Sequence, residues 1–203
     1  MGEVSTRERL LKAALRLFAM HSFAGTSLQM IADNLGVTKA AIYHHFKTRD
    51  EILTAMVQPA LQELREVIAK ADAQRSANAR LDTLLTGFVD MTVRHRKLIG
   101  MVGTDPGVTA ALNTHPDIAE LFSRPLAILS GGEPSPAGEI NATYVLSGIA
   151  CTASSPLLTH IDDNTLREQL LTSTRRLLGL RIRNRSGFEK QGHPGPHSMI
   201  ARG

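Results

Sequence analysis

Cysteine is nearly absent from this chain, whose 203 residues include only Cys151. A single cysteine cannot form an internal disulfide, and it excludes a zinc cluster built on cysteines. Such usage is typical of a reduced compartment, so we expect a cytoplasmic protein. Long apolar runs are also absent, and the sequence therefore predicts no signal peptide and no membrane-spanning helix. We expect a soluble chain with no membrane contact.

The signals of β-structure are missing too. No segment sustains a two-residue hydrophobic alternation, and no Asn-Gly or Asp-Gly pair marks a hairpin. Apolar residues instead recur at three- and four-residue spacing through most of the chain, which predicts an all-α protein of about nine helices.

Motifs of common enzymes are lacking as well. The sequence contains no Gly-rich phosphate loop, no HExxH pair and no Cys/His nucleophile motif, so we expect no catalysis and no cofactor. One metal-binding candidate is the pair His193 and His197 in an HPGPH segment. Flanking Pro and Gly fix no ligand geometry and a third ligand is not evident, so we expect no metal site.

Basic charge is concentrated at the two ends of the chain. Residues 1–50 carry seven Lys and Arg against four Asp and Glu, and residues 181–203 carry five against one. The basic N-terminal part suits a polyanionic partner. The last part has no periodic apolar face, and we expect residues 183–203 to be disordered.

Residues 27–46 have the pattern of two short helices that meet at a glycine. Ser27 and Thr38 stand where N-caps are expected, and Gly36 supplies the positive φ that the tight turn requires. Ala32 is small enough to let the two helices approach closely. The residues left on the outer face of the second helix are Thr38, Lys39, Ala40, Tyr43 and His44. This mixture of a cation, hydroxyls and a small residue suits the major groove of DNA.

The segment resembles the helix-turn-helix of the TetR family of one-component transcriptional repressors. The resemblance rests on Phe-Ala-Gly-Thr-Ser at residues 23–27 and on Gly-Val-Thr-Lys-Ala-Ala-Ile-Tyr-His-His-Phe at residues 36–46. It continues through residues 47–53 and covers about residues 6–56. One departure is Arg49, where the family more often has lysine.

By position, the resemblance implies which residues contact DNA. Thr26 and Ser27 are expected to meet phosphate, because the amides and the dipole at a helix N-terminus favour an anion. Lys39 and Ala40 are the candidates for base contacts, to guanine and to a thymine methyl. Contacts with the DNA backbone are expected from Thr38, Tyr43, His44 and Lys47. Two alternatives stay open, in which Tyr43 packs against the first helix and Lys39 is a lone surface lysine.

The resemblance also implies two domains, a helix-turn-helix domain in residues 1–50 and a helical ligand-binding and dimerisation domain in residues 51–182. A homodimer would place two recognition helices on a palindromic operator, with half-sites about 34–36 Å apart. We expect the last two long helices to pair with their copies as a four-helix bundle. Its contact residues would be Ala142, Gly148, Ala150 and Ser154 on the first helix, and Leu166, Leu170, Leu177 and Leu178 on the second. The alternative is that these residues form the core of the monomer.

A small effector, apolar or amphipathic, is expected inside the second domain, because the candidate lining carries few charges. Thr92 and His95 lie on an otherwise apolar helical stripe, and a buried polar group needs a partner. That partner is a ligand, another protein group or a water. Further lining candidates are Phe88, Met91, Met101, Phe122, Tyr144 and Cys151, although methionine and aromatic side chains also belong to ordinary cores.

These features predict a repressor that an effector releases from its operator. An effector that favours the form with mis-spaced recognition helices lowers the affinity for DNA by linkage. The fourth helix joins both domains, so its tilt is expected to couple them. Two alternatives remain, a ligand-responsive activator of the same fold and a non-specific architectural DNA-binding protein, which competition by random DNA distinguishes from a specific regulator.

Overall fold

A computed structural model describes residues 5–131 and 135–180, and within these residues the chain forms ten α-helices, one 3₁₀ turn and no strand. The all-α prediction is confirmed. The helices are α1 (Thr6–Gly25), α2 (Leu28–Leu35), α3 (Lys39–His45), α4 (Arg49–Asp72), α5 (Ala77–Arg94), α6 (Arg96–Thr104), α7 (Pro106–Leu112), α8 (Pro116–Leu129), α9 (Pro136–Ser154) and α10 (Asp163–Leu177), with the 3₁₀ turn at Pro156–Leu158. The tail predicted to be disordered, with its two histidines, lies outside the described residues.

The first three helices begin where the local signals predict. Ser5 and Glu8 form a capping box at the start of α1. Ser27 and Thr38 accept hydrogen bonds from the first turns of α2 and α3. Gly36 adopts a φ of 67° between these helices, so the tight turn is made as the sequence indicates.

Helix α1 is interrupted shortly before it ends at Gly25. The interruption lies at Ser22, which has a φ of 63° and a ψ of 164° inside the helix. A non-glycine residue with positive φ is strained unless its surroundings hold it. The contacts that hold this turn come from α4 and from the residue between α6 and α7, as described below.

The core of the N-terminal helices extends into the rest of the chain. Leu10, Ile31 and Ile42 are completely or almost completely buried and belong to the same cluster as Met101 of α6 and Val108 of α7. The predicted boundary near residue 50 is therefore not a gap in packing, because α6 and α7 rest directly on the N-terminal domain. A second cluster joins α4, α5, α9 and α10.

The predicted apolar stripe that carries Thr92 and His95 does not belong to one continuous helix, because α5 ends at Arg94. His95 leaves helical geometry with a φ of −103° and a ψ of 18°, and α6 starts at the next residue. The ring of His95 contacts Glu63 of α4 at 3.1 Å, which fixes the corner between α5 and α6. This tertiary contact explains why the break was not visible in the periodicity.

Gly87 sets the spacing of α4 and α5. A Cβ atom at this position would lie 2.6 Å and 2.7 Å from the two methyl carbons of Val67. Overpacking of this kind costs about 1–3 kcal/mol, which exceeds the ~1 kcal/mol that alanine gains over glycine in a helix. We expect Gly87→Ala to lower the free energy of unfolding in denaturant titrations, and to raise it in a Val67→Ala background. The same sign in both backgrounds would contradict this packing.

Candidate functional site

The outer face of α3 is open to solvent. Lys39, Ala40 and His44 are exposed, and Tyr43 is 37% exposed. The Lys39 ammonium lies 5.6 Å from the centre of the Tyr43 ring, so the two side chains stand together on this face. Tyr43 is thus not buried against α1, which was the alternative left open by the sequence.

The N-terminus of α2 opens onto the same region. The Ser27 hydroxyl accepts a hydrogen bond from the Met30 amide at 3.1 Å and keeps its own hydrogen for a further acceptor. A shallow cleft of about 450 Å³ is lined by the turn before α2, by Lys39 and Tyr43 of α3, and by the start of α4. The structure therefore brings Ser27, Lys39 and Tyr43, which the sequence singled out separately, around one cleft.

Thr26 requires a correction. Its side chain is 1% exposed, and its hydroxyl donates to the carbonyl oxygens of Ser22 at 2.8 Å and Leu17 at 3.2 Å. A buried hydroxyl engaged in this way stabilises the end of α1 and cannot reach a phosphate. The Thr26 hydroxyl is therefore not available to a phosphate, because the helix end in front of it needs the hydroxyl for its own carbonyls. A phosphate contact through the amides at this helix N-terminus stays a prediction.

Two further residues have local partners on the α3 side. The Lys47 ammonium donates to the Tyr43 carbonyl at 2.7 Å and so closes the C-terminus of α3. Thr38 accepts from the Ala41 amide at 3.2 Å as the N-cap. Both side chains are exposed, so these bonds leave them accessible from outside.

Arg49 holds the turn between α1 and α2 by hydrogen bonds. In the sequence, this residue was noted only because the TetR family more often has lysine at its position. Its Nη1 donates to the carbonyl oxygens of Phe23 at 2.9 Å, Ala24 at 2.7 Å and Thr26 at 2.9 Å. Its guanidinium carbon also lies 5.2 Å from the centre of the Phe23 ring. The start of α4 is thereby tied to the segment that presents the N-terminus of α2.

Asp105, between α6 and α7, holds the same turn from the other side. One carboxylate oxygen accepts from the Phe23 amide, and the other accepts from the amides of Gly107 at 2.8 Å and Val108 at 3.3 Å. The residue is 9% exposed. One buried carboxylate therefore caps α7 and bridges to α1, and sequence reasoning missed the bridge because its partner is 82 positions away.

A separate cavity of about 250 Å³ lies among α4, α5, α6, α7, α8 and α9. Four of the predicted effector residues line it, namely Phe88, Met91, Thr92 and Phe122. The other walls come from residues such as Leu61, Ile99, Val102, Leu112 and Ala150. The lining is apolar apart from the hydroxyl of Thr92, which donates to the Phe88 carbonyl at 2.6 Å.

The other four predicted effector residues do not line this cavity. His95 turns its ring to Glu63, so its partner is a protein group. Met101 is buried in the cluster shared with α1. Tyr144 is 69% exposed and Cys151 is also exposed, because both lie on the outer face of α9. Helical spacing alone did not tell which face of α9 is turned inward.

The two last helices divide their small and apolar residues between the monomer core and the surface. Ala142, Leu166 and Leu170 are buried within the monomer, which is the alternative that the sequence left open. Ala150, Ser154 and Leu178 are half-buried. The exposed residues include Gly148, together with Ile140, Tyr144 and Leu177, which are each more than 60% exposed.

Comparisons with known proteins agree with this geometry. Residues 10–56 match the family described as "Bacterial regulatory proteins, tetR family". The probable acrEF/envCD operon repressor of Escherichia coli (strain K12) is 40% identical over 63 residues, which are 30% of this chain and 29% of that protein. The repressor KstR2 of Rhodococcus jostii (strain RHA1) is 33% identical over 89 residues, 42% of each chain. Residues 10–56 are therefore similar to the N-terminal domain of the TetR family.

The fold likeness extends beyond this TetR domain. The ketosteroid transcriptional regulator KstR2 of Mycobacterium tuberculosis has a TM-score of 0.68 at 18% identity, and the match covers 88% of this chain and 96% of that one. AmtR of Mycobacterium smegmatis has a TM-score of 0.64 at 23% identity, covering 89% and 98%. In sequence, the chain spans less than half the length of the curated relatives that it matches.

Arg49 and Asp105 are two residues whose roles sequence reasoning did not identify. A signal for Asp105 existed, since an Asp before Pro106 is a typical N-cap, but it indicated only the local cap.

Within the described residues, no helix is long and apolar enough to cross a membrane, and no group of three His, Cys, Asp or Glu could hold a metal ion.

Proposed function

We propose that this chain is a TetR-family transcriptional repressor that binds a palindromic operator as a homodimer and is released by a small molecule bound in the cavity. The observation that carries the proposal is the shared cleft at the N-terminal domain, where the N-terminus of α2 and the outer face of α3 meet. A helix N-terminus supplies amides for a phosphate, while the adjacent exposed helix is free to enter the major groove.

Each exposed residue of this surface has a role in the proposal. Lys39 contacts guanine and Ala40 contacts a thymine methyl, since both lie at the N-terminal end of α3. Backbone phosphates are met by Ser27 and by Thr38, Tyr43, His44 and Lys47. Thr26 contributes indirectly, because its buried hydroxyl shapes the turn that presents Ser27.

The proposed dimer face is the outer side of α9 together with the end of α10. Ile140, Tyr144, Gly148 and Cys151 follow one another at three- and four-residue spacing on α9, and all are exposed. Leu177 adds an exposed leucine on α10. A Cβ on Gly148 would meet no atom of its own chain within 4 Å, so this position leaves room for close approach by a second copy.

The proposed coupling between cavity and DNA uses both residues that hold the turn at Phe23. α6 lines the cavity with Ile99 and Val102 and ends next to Asp105, which bonds to the Phe23 amide. α4 lines it with Leu61 and begins with Arg49, which bonds to the Phe23 carbonyl. A ligand that displaces α4 or α6 therefore acts on the segment that presents the N-terminus of α2.

Selection from a pool of randomised duplexes tests the DNA-binding part of this proposal. We expect the full chain to enrich a palindrome whose half-sites are about one helical turn apart, and to bind it at least about 10³-fold more tightly than random DNA. A reporter gene behind that palindrome should be expressed less when the protein is present. Binding that is equally tight to random duplexes would indicate an architectural protein and would overturn the proposal.

A further inference from the structure

The lining of the cavity defines the chemistry of its occupant. None of its fifteen lining residues is ionisable, and they come from six different helices. The walls are aliphatic and aromatic side chains such as Leu64, Phe88 and Ile118. A molecule inside this space would therefore exchange water for apolar contacts wherever it touches these walls.

The hydroxyl of Thr92 offers little to a polar ligand. Thr92 is completely buried, and its hydroxyl hydrogen is donated to the Phe88 carbonyl one helical turn earlier at 2.6 Å. A hydroxyl has a single hydrogen to donate, so Thr92 has none left for a ligand oxygen. The remaining lining side chains carry no hydrogen-bond donor.

A group of charged side chains on α4 and at the end of α5 is paired outside the cavity lining. Glu63 of α4 contacts Arg94 at 2.6 Å and His95 at 3.1 Å, and none of the three lines the cavity. A carboxylate or phosphate group placed in the cavity would lose its hydration without gaining a counter-charge. Burial of an unpaired charge is among the most unfavourable events in a protein interior.

Resting on the effector site proposed above, we propose that this cavity binds a compact, uncharged and apolar molecule, a hydrocarbon or an aromatic ring system, and rejects its anionic analogues. The size agrees with this class. An apolar cavity of ~150 Å³ accommodates benzene, and the present space of about 250 Å³ is larger by more than half. A bicyclic hydrocarbon is a suitable probe.

Naphthalene and 2-naphthoate are the matched pair for the test, since they differ by one carboxylate. Isothermal titration of the full chain without DNA should show one naphthalene site per chain, with 2-naphthoate bound at least about tenfold more weakly. Ala60→Leu, which fills the cavity from α4, should abolish naphthalene binding. Ala150→Leu fills it from α9 and serves as the second filling variant should the first not fold.

Thr92→Val tests whether the one hydroxyl of the cavity lining contributes to binding. It removes the hydroxyl while keeping the shape, so naphthalene affinity should change by less than about twofold. Equal binding of 2-naphthoate, absence of naphthalene binding, or its survival in both folded filling variants would overturn the assignment. Naphthalene binding that leaves operator affinity unchanged would instead contradict the proposed effector role, and it would still support the ligand class.

Discussion

Lys39→Ala is expected to weaken operator binding by at least about 30-fold without changing the fold. One specific base contact is worth about 1–3 kcal/mol, and a homodimer loses it twice. The Lys39 side chain is exposed and lies over the face of Tyr43. Surface substitutions of this kind usually change stability by less than about 0.5 kcal/mol. Fluorescence anisotropy with the selected palindrome measures the first effect, and thermal unfolding the second.

Lys70→Ala is the matched control for this substitution. Lys70 is also an exposed lysine, but it lies in the last turn of α4, 21 residues after Arg49 and hence about 30 Å along the helix. It removes the same charge from the chain, so it should change operator affinity by less than about threefold if only net charge is affected. Equal losses in both variants would assign the Lys39 effect to general electrostatics. A large fall in melting temperature for Lys39→Ala would place its side chain in the core.

Tyr43→Phe separates a phosphate contact from packing on the same surface. The change removes one hydroxyl and keeps the ring that the Lys39 ammonium covers. We expect a smaller loss than for Lys39→Ala, about three- to tenfold, spread evenly over operator sequences because phosphate contacts carry no base information. A loss restricted to one base position would contradict the phosphate assignment.

Asp105→Asn is the second substitution with a large expected effect. The carboxylate uses one oxygen for the Phe23 amide and the other for the amides of Gly107 and Val108. An asparagine side chain has one oxygen and presents an NH₂ group on its other side, so it cannot serve both sets of donors. A buried amide left without an acceptor costs about 1–3 kcal/mol. We expect a loss of that size in the free energy of unfolding.

Amide exchange shows which of the two functions is lost. If the asparagine keeps the α7 cap, the Phe23 amide should lose protection against hydrogen exchange while the amides of α7 retain it. The turn before α2 would then be held by Arg49 alone, and operator affinity should fall as well. An unchanged Phe23 amide together with unchanged stability would contradict the bridge between α1 and the corner at Asp105.

Asp162→Asn is the control for this chemistry. Asp162 caps α10, but a single oxygen accepts both amides, from Asn164 at 3.1 Å and Thr165 at 3.0 Å. Asparagine can reproduce that arrangement, and it loses only the favourable charge at the helix N-terminus.

Hydrogen bonds from Thr165 and Asn164 lower the pKa of Asp162. Its charge therefore stabilises the fold above the pKa of the unfolded chain, and this contribution disappears as the pH falls through the lower pKa of the folded state.

The sequence by itself determined the local features of this protein. The capping residues Ser27 and Thr38 and the left-handed Gly36 act on partners within about four residues, and all three were predicted and found. The outer face of α3 followed from the same short-range pattern. Such features are readable in a sequence because hydrogen-bond partners and helical faces are fixed by spacing.

Only the tertiary structure decided what depends on distant residues. The side chain of Thr26 is buried although the residue was expected at a phosphate. The partner of His95, left open between a ligand, a protein group and a water, is Glu63. Asp105 reaches Phe23 across 82 positions. The inner and outer faces of α9 were likewise undetermined, because both carry small and apolar residues. Periodicity defines a stripe on a helix, but which stripe is buried depends on the neighbours that pack against it, and those contacts are set by the fold as a whole.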